Sequence, residues 1–348
     1  MKTEKIRPTL NMKLNLTLTA LLSIGASAAI AGPLVKQNVD YDAKWLVHVD
    51  FDQFRDTKLG QFVMKEVIVK KAEEAKAKAN NFITNLDVVR IVGQLHSVTA
   101  YGTGFDTGQK SNGVLMLQVE PETRKILEGV AAGLLLKDED GSFTKTNEDG
   151  QLIYCLKNEL FASPQDHGLI LFSKSKPKLK QAAAVLAGKS RNLVGSKAFT
   201  DFPPVTDSFI FMAVAEGFQD NLPIPPQAKV LRKADGVRVV LGESADNVFA
   251  NVAVKAKDPE VLKEMQQVVE GMLALASLSQ SENKELQQLV RSTKVETLDK
   301  MLCVATTFPT DALLRRAGVM IAKKQEQQQA KEQPAVEAEP KSSAGDSK

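Results

Sequence analysis

Val114-Leu115-Met116-Leu117-Gln118-Val119-Glu120-Pro121-Glu122 is a strand-length apolar run that passes directly into a proline-led helix start. Proline is tolerated in the first helical turn, where its missing N–H has no partner to lose. The same order returns at Phe249 to Val254, followed by Pro259-Glu260. Working outward, Val98-Thr99-Ala100-Tyr101 matches Val237-Arg238-Val239-Val240, and Trp45 to Phe54 can be laid against Phe209 to Phe218. After each proline an apolar pair precedes Glu-Gly, at Ile126-Leu127-Glu128-Gly129 and at Val268-Val269-Glu270-Gly271, and a cysteine-containing strand follows in both halves. Apolar strands resemble one another by chance, but matches in unbroken order predict a tandem duplication.

The fold class this predicts is α+β, with two related halves, each a mostly antiparallel sheet with helices packed on one face. The halves span residues 32–200 and 201–321 and join near Ser196 to Thr206, where Pro203-Pro204 suits a junction. Whether they keep separate sheets or merge into one is left open by the pattern. Within the first half, Thr57 to Phe82 reads as one long helix, with Leu59, Phe62, Val63 and Val67 on its apolar face. Phe143 to Thr146 and Gln151 to Leu156 read as a hairpin, Leu169 to Phe172 as a strand, and Pro177 to Ala187 as a helix.

At 348 residues and 43% hydrophobic composition, the chain can bury a substantial core. Its N-terminus has the order of a secretory signal peptide over residues 1–31: Lys2, Lys5, Arg7 and Lys13, an apolar run from Leu14 to Ile30, and Ala29-Ile30-Ala31 before Gly32. Too many Thr, Ser, Asn and Gly residues interrupt the run for a membrane span. The expectation is an exported protein, periplasmic or extracellular, without a stable span after cleavage. Removing residues 1–31 takes four basic and one acidic side chain from totals of 45 and 42, leaving 41 of each sign. A formally neutral chain without basic clusters gives no reason to expect nucleic acid. Residues 322–348, made mostly of Lys, Glu, Gln, Ala, Ser and Pro around the single Val336, read as a disordered polar tail.

The strand Trp45-Leu46-Val47-His48-Val49-Asp50, with Leu59-Gly60 soon after, and the segment from Leu86-Asp87 to Ser97-Val98-Thr99-Ala100-Tyr101-Gly102 resemble a group of uncharacterised secreted bacterial proteins. The resemblance covers most of residues 40–320. It implies fold and export, and carries over no functional residue.

Chemistry-bearing patterns are sparse. His48, His96 and His167 are scattered, without a metal-ligand spacing. His48, Asp50 and Asp52 would share one face of a strand and could hold a cation, but the corresponding Met212, Val214 and Glu216 do not preserve the set, and a strand end facing water is the better reading. Asp138-Glu139-Asp140-Gly141 lacks the ligands of a calcium loop. Ser173-Lys174-Ser175-Lys176 has Ser-x-x-Lys without its companion motifs, and Gly188-Lys189-Ser190 lacks the earlier glycine of a phosphate loop. Cys155 and Cys303, both in apolar runs, are either buried free thiols or one bridge. The apolar stripes of Val261, Met265, Val268, Met272 and Leu275, and of Leu286, Leu289 and Val290, read as core.

No catalytic, cofactor-binding or metal-binding residue is therefore nominated, and no cofactor. The sequence favours an exported envelope protein with a non-enzymatic binding or accessory role, its partner an envelope protein or a small apolar ligand held between the halves. The alternative is a periplasmic hydrolase whose residues converge only on folding.

Overall fold

The computed structural model describes residues 33–73, 88–105, 113–137, 141–205, 208–217, 233–279 and 284–332. The expected signal peptide at 1–31, most of the acidic stretch at 138–141, and residues 74–82 of the expected long helix lie outside them. In chain order the strands are β1 (Trp45–Asp50), β2 (Leu95–Gly102), β3 (Gly113–Val119), β4 (Phe143–Glu148), β5 (Gln151–Leu156), β6 (Leu160–Pro164), β7 (Leu169–Ser173), β8 (Phe211–Glu216), β9 (Ala234–Ser244), β10 (Asn247–Ala256), β11 (Lys294–Leu298) and β12 (Met301–Pro309). The α-helices among the described residues are α1 (Phe51–Asp56), α2 (Lys58–Val63), α3 (Val88–Gly93), α4 (Pro121–Lys137), α5 (Lys176–Leu186), α6 (Pro259–Ser279), α7 (Lys284–Ser292) and α8 (Thr310–Glu332).

All twelve strands form one antiparallel sheet, in the order β11-β12-β10-β9-β8-β1-β2-β3-β7-β6-β5-β4. The two halves thus share a sheet, stitched where β1 pairs with β8 and Val47 stands opposite Ala213. Outward from this seam the order is β1-β2-β3-β7 on one side and β8-β9-β10-β12 on the other. The matched tetrapeptides at Val98 and Val237 lie on β2 and β9, each next to a seam strand. The cysteine strands do not take equivalent places. Cys303 is on β12, directly beside β10, whereas Cys155 is on β5, and the strand beside β3 is β7. That correspondence came from shared apolar character, which says nothing about position in a ladder.

Alternation along the strands divides the sheet into two apolar faces. On the front, Leu46, Tyr101, Val114, Met116, Leu171, Val214 and Val240 pack with Leu179 and Ala182 of α5 and with Leu193 and Phe202. On the back, Val254 and Leu302 pack with Val261, Leu262 and Met265 of α6. Each half therefore carries a main packing helix on one face, α5 in front and α6 behind.

The helix expected from Thr57 to Phe82 begins where the sequence placed it and is helical throughout its described residues, to Glu73, but a short helix the sequence reading did not include, α1, precedes it. Asp50 ends β1 and caps α1, its carboxylate accepting from Gln53 N at 2.9 Å. Thr57 then caps α2, accepting from Gly60 N at 2.9 Å and donating to Phe54 O at 2.6 Å. Two successive caps give two separate helices, and a π-helical stretch over Met64–Val69 continues the second. At this junction a Cβ on Gly60 would stand 1.7 Å from Phe54 O, so only glycine fits. Gly102 is excluded from bearing a side chain by the Trp45 indole, 2.5 Å from its would-be Cβ.

Helix α8 runs through Glu332, so the start of the polar segment from Ala322 is helical. Its Ala, Lys, Glu and Gln residues are good helix formers and continue a helix already nucleated at Thr310. No helix of the described residues is long and apolar enough to cross a membrane.

Candidate functional site: a cleft on the seam

The front of the seam is not fully covered. A cleft of about 1010 Å³ opens there, floored by Leu46 of β1 and by Met212 and Val214 of β8. Its wall is the junction between the halves: Phe199, Phe202, Pro203, Pro204 and Val205 fold across the sheet, with Phe209 beyond them. Phe202 is buried, so this segment belongs to the core as well as to the cleft. Pro33, Leu34 and Leu193 line it as well. Residues expected to be a linker are thus a built wall, because their aromatic side chains cover apolar strand surface that α5 does not reach.

The ends of the cleft differ in charge. At one, Asp50, Asp52, Gln53 and Asp56 line the rim where β1 passes into α1. At the other is Arg238 of β9, which pairs with Val214, itself level with Leu46. Four residues of strand separate Leu46 from Asp50, or about 13 Å.

Two of the three carboxylates at the rim are already engaged. Asp50 caps α1. Asp52 pairs with Arg55, and His96 Nδ1 lies 2.9 Å from Asp52 Oδ2. On its other side His96 Nε2 stands 3.2 Å from Glu120 Oε1. The imidazole is thus clasped by carboxylates at opposite ends of the ring. That geometry orients a histidine but cannot converge on one ion, and no group of three or more ligating side chains suited to a metal occurs among the described residues.

Arg238 is half-buried, with its guanidinium 5.5 Å from the centre of the Phe202 ring and NH1 donating to Pro203 O. Its buried Nε has no hydrogen-bond partner. Burial lowers its pKa from the usual guanidinium value, although an arginine remains charged. Cys303 lies two strands further along the same face, beyond Ala253, and burial pushes its thiol pKa up, partly countered by Arg238.

The residues singled out in the sequence do not form one site. His48 is fully buried on the same sheet face as Leu46, opposite Met212; its Nδ1 is 2.8 Å from Thr99 Oγ1, and Phe209 packs edge-on at 6.1 Å. Because β1 ends at Asp50, Asp52 sits on α1 and the supposed cation face of His48, Asp50 and Asp52 is not assembled. Ser173 Oγ donates to Gly113 O at 2.8 Å, while Lys176 is drawn away to Glu148, so Ser-x-x-Lys has no working geometry. Cys155 and Cys303 are free thiols, nine strand spacings or roughly 40 Å apart across the sheet, far outside bridging range. Arg238 and the wall of residues 199–205, with Phe209, were missed in the sequence; an arginine within an otherwise apolar strand, Val237 to Leu241, was the available signal.

No family model matches the chain, and no curated protein matches it. Solved crystal forms of TP0453, a Treponema protein, are structurally similar. Form III has a TM-score of 0.45 at 10% identity and covers 81% of this chain and 97% of its own. Form I has a TM-score of 0.41 at 11% identity, covering 83% and 98%, and form IV has 0.40 at 11%, covering 81% and 95%.

Proposed function

We propose that this is an exported envelope protein, built from a duplicated α+β unit, that binds a small apolar molecule in the cleft on its seam. The observation that carries the reading is a cleft of about 1010 Å³ with an apolar floor and an aromatic wall, at the top of the size range of small-molecule sites. Export rests on the charged, apolar and small-residue order of residues 1–31. The alternative, a hydrolase, would have to begin from Asp52 and His96. Both are committed to Arg55 and Glu120, and the serine on the cleft wall, Ser208, has no base placed against it in the described contacts.

The reading is tested with a neutral apolar fluorophore, N-phenyl-1-naphthylamine, titrated into the protein. Saturable emission enhancement near one equivalent is expected, and Val205→Trp, which fills the cleft from its wall, should abolish it without loss of folding. Absence of binding by the wild type, or undiminished binding by a folded Val205→Trp, overturns the proposal.

A further inference from the structure

We infer that the cleft selects an apolar chain ending in a single carboxylate, with the head group held by Arg238. This rests on the binding role proposed above and adds the chemical class of the ligand.

Three observations carry it. Arg238 is the cation of the cleft interior, and among the described residues it forms no ion pair. Its contacts are one backbone carbonyl, Pro203 O, and the face of Phe202. A guanidinium has five donors in a planar fork, so most of its capacity is unspent where it lines the cavity. Elsewhere in the protein, paired cations such as Lys255 gather several carboxylates, Asp201 and Glu216 among them, so an unpaired arginine on an apolar face is a departure from its surroundings.

The second observation is polarity. From Arg238 the floor runs over Val214 and Met212 toward Phe209, about 13 Å of apolar surface, before it reaches the rim carboxylates. Of those carboxylates Asp50 is engaged by the α1 cap and Asp52 by Arg55 and His96, which leaves only the solvent-exposed Asp56, at the end away from Arg238, to meet a cationic head.

The third is stoichiometry of charge. Among the described residues Arg238 and Lys36 are the only basic residues lining the cleft, and Lys36 belongs to a separate element, the 3-10 turn at Lys36–Asn38. One guanidinium fork matches one planar monoanion, whereas a dianionic phosphate head would require a second cation at the same end. A carboxylate is also favoured by the low local dielectric, where a charge-assisted pair is stronger than in water.

The experiment is isothermal titration of the full chain with dodecanoate, methyl dodecanoate and dodecylammonium, all below micelle-forming concentration. The wild type should bind dodecanoate roughly 10- to 100-fold more tightly than the ester, the range expected for one charge-assisted hydrogen-bonding group. Arg238→Met should erase that preference and leave ester binding within about 2-fold, while Arg238→Lys, which keeps charge but loses the fork, should fall between. The wild-type preference is decisive even if Arg238→Met fails to fold. Equal binding of acid and ester, or preference for dodecylammonium, overturns the carboxylate inference and leaves the cleft reading standing. No binding of acid or ester removes the cleft reading itself.

Discussion

Met265 and Met272 lie seven residues apart on one stripe of α6, identical in chemistry and opposite in surroundings. Met265 is 0% exposed and packs with Val254, Leu302 and Ala234 behind the sheet, whereas Met272 is 55% exposed. Burying a methionine side chain is worth about 1.5–3 kcal/mol, and the cavity left on truncation brings Met265→Ala to about 2–5 kcal/mol. Met272→Ala forfeits less than half of the transfer contribution and opens no cavity, so its cost should stay below about 1 kcal/mol. The small helix-propensity gain from alanine is common to both and cancels. In urea unfolding at constant m, Met265→Ala should lower the midpoint by on the order of 1 M and Met272→Ala by a small fraction of that. Equal shifts, or a larger one for Met272→Ala, would refute the assignment of the back core to the first half of α6.

Two further predictions concern folding. Gly60→Ala should destabilise by about 1–3 kcal/mol or more, because its Cβ would collide with Phe54 O, whereas Gly129→Ala, with nothing within 4 Å of its Cβ on helix α4, should be neutral or stabilising by up to about 1 kcal/mol; equal urea midpoints for the two would contradict the α1–α2 junction. Lys176 and Lys180 pull the Glu148 carboxyl from 4.5 down to about 2, tying the β4–β5 hairpin to α5. A depressed carboxylate stabilises the fold fully above its unfolded pKa and loses that contribution as pH falls through the folded one. The stability difference between wild type and Glu148→Gln should therefore be constant at neutral pH and shrink between about pH 4.5 and 2; a pH-independent difference across that window would argue against the pairing.

Much of the strand content was legible because period-two alternation records which face each residue must hide. Leu46 and His48 face the front core and Val47 and Val49 the back, as their spacing demands. What was not legible has local causes. Helix α1 rests on the Asp50 cap and spans only six residues, too few to show a helical period. The short β6 strand ends in Pro164, which weakens its sequence signal, yet it pairs with both β5 and β7. The apolar stripe on α6 gave no indication that Met272, Leu275 and Leu278 would be exposed while Met265 is sealed.

By itself the sequence determined the element types, the α+β class and the proline-led recurrence of strand and helix, since these follow from backbone propensity and side-chain periodicity within a few residues. Only the tertiary structure decided that β1 and β8 join the halves into one sheet, that the Pro203-Pro204 junction folds back as a wall, and that Arg238 faces a cleft whose other end holds Asp50 and Asp52. Strand pairing and burial at long sequence separation depend on which apolar faces find one another. One chain's periodicity records that a face must be covered, and not by what.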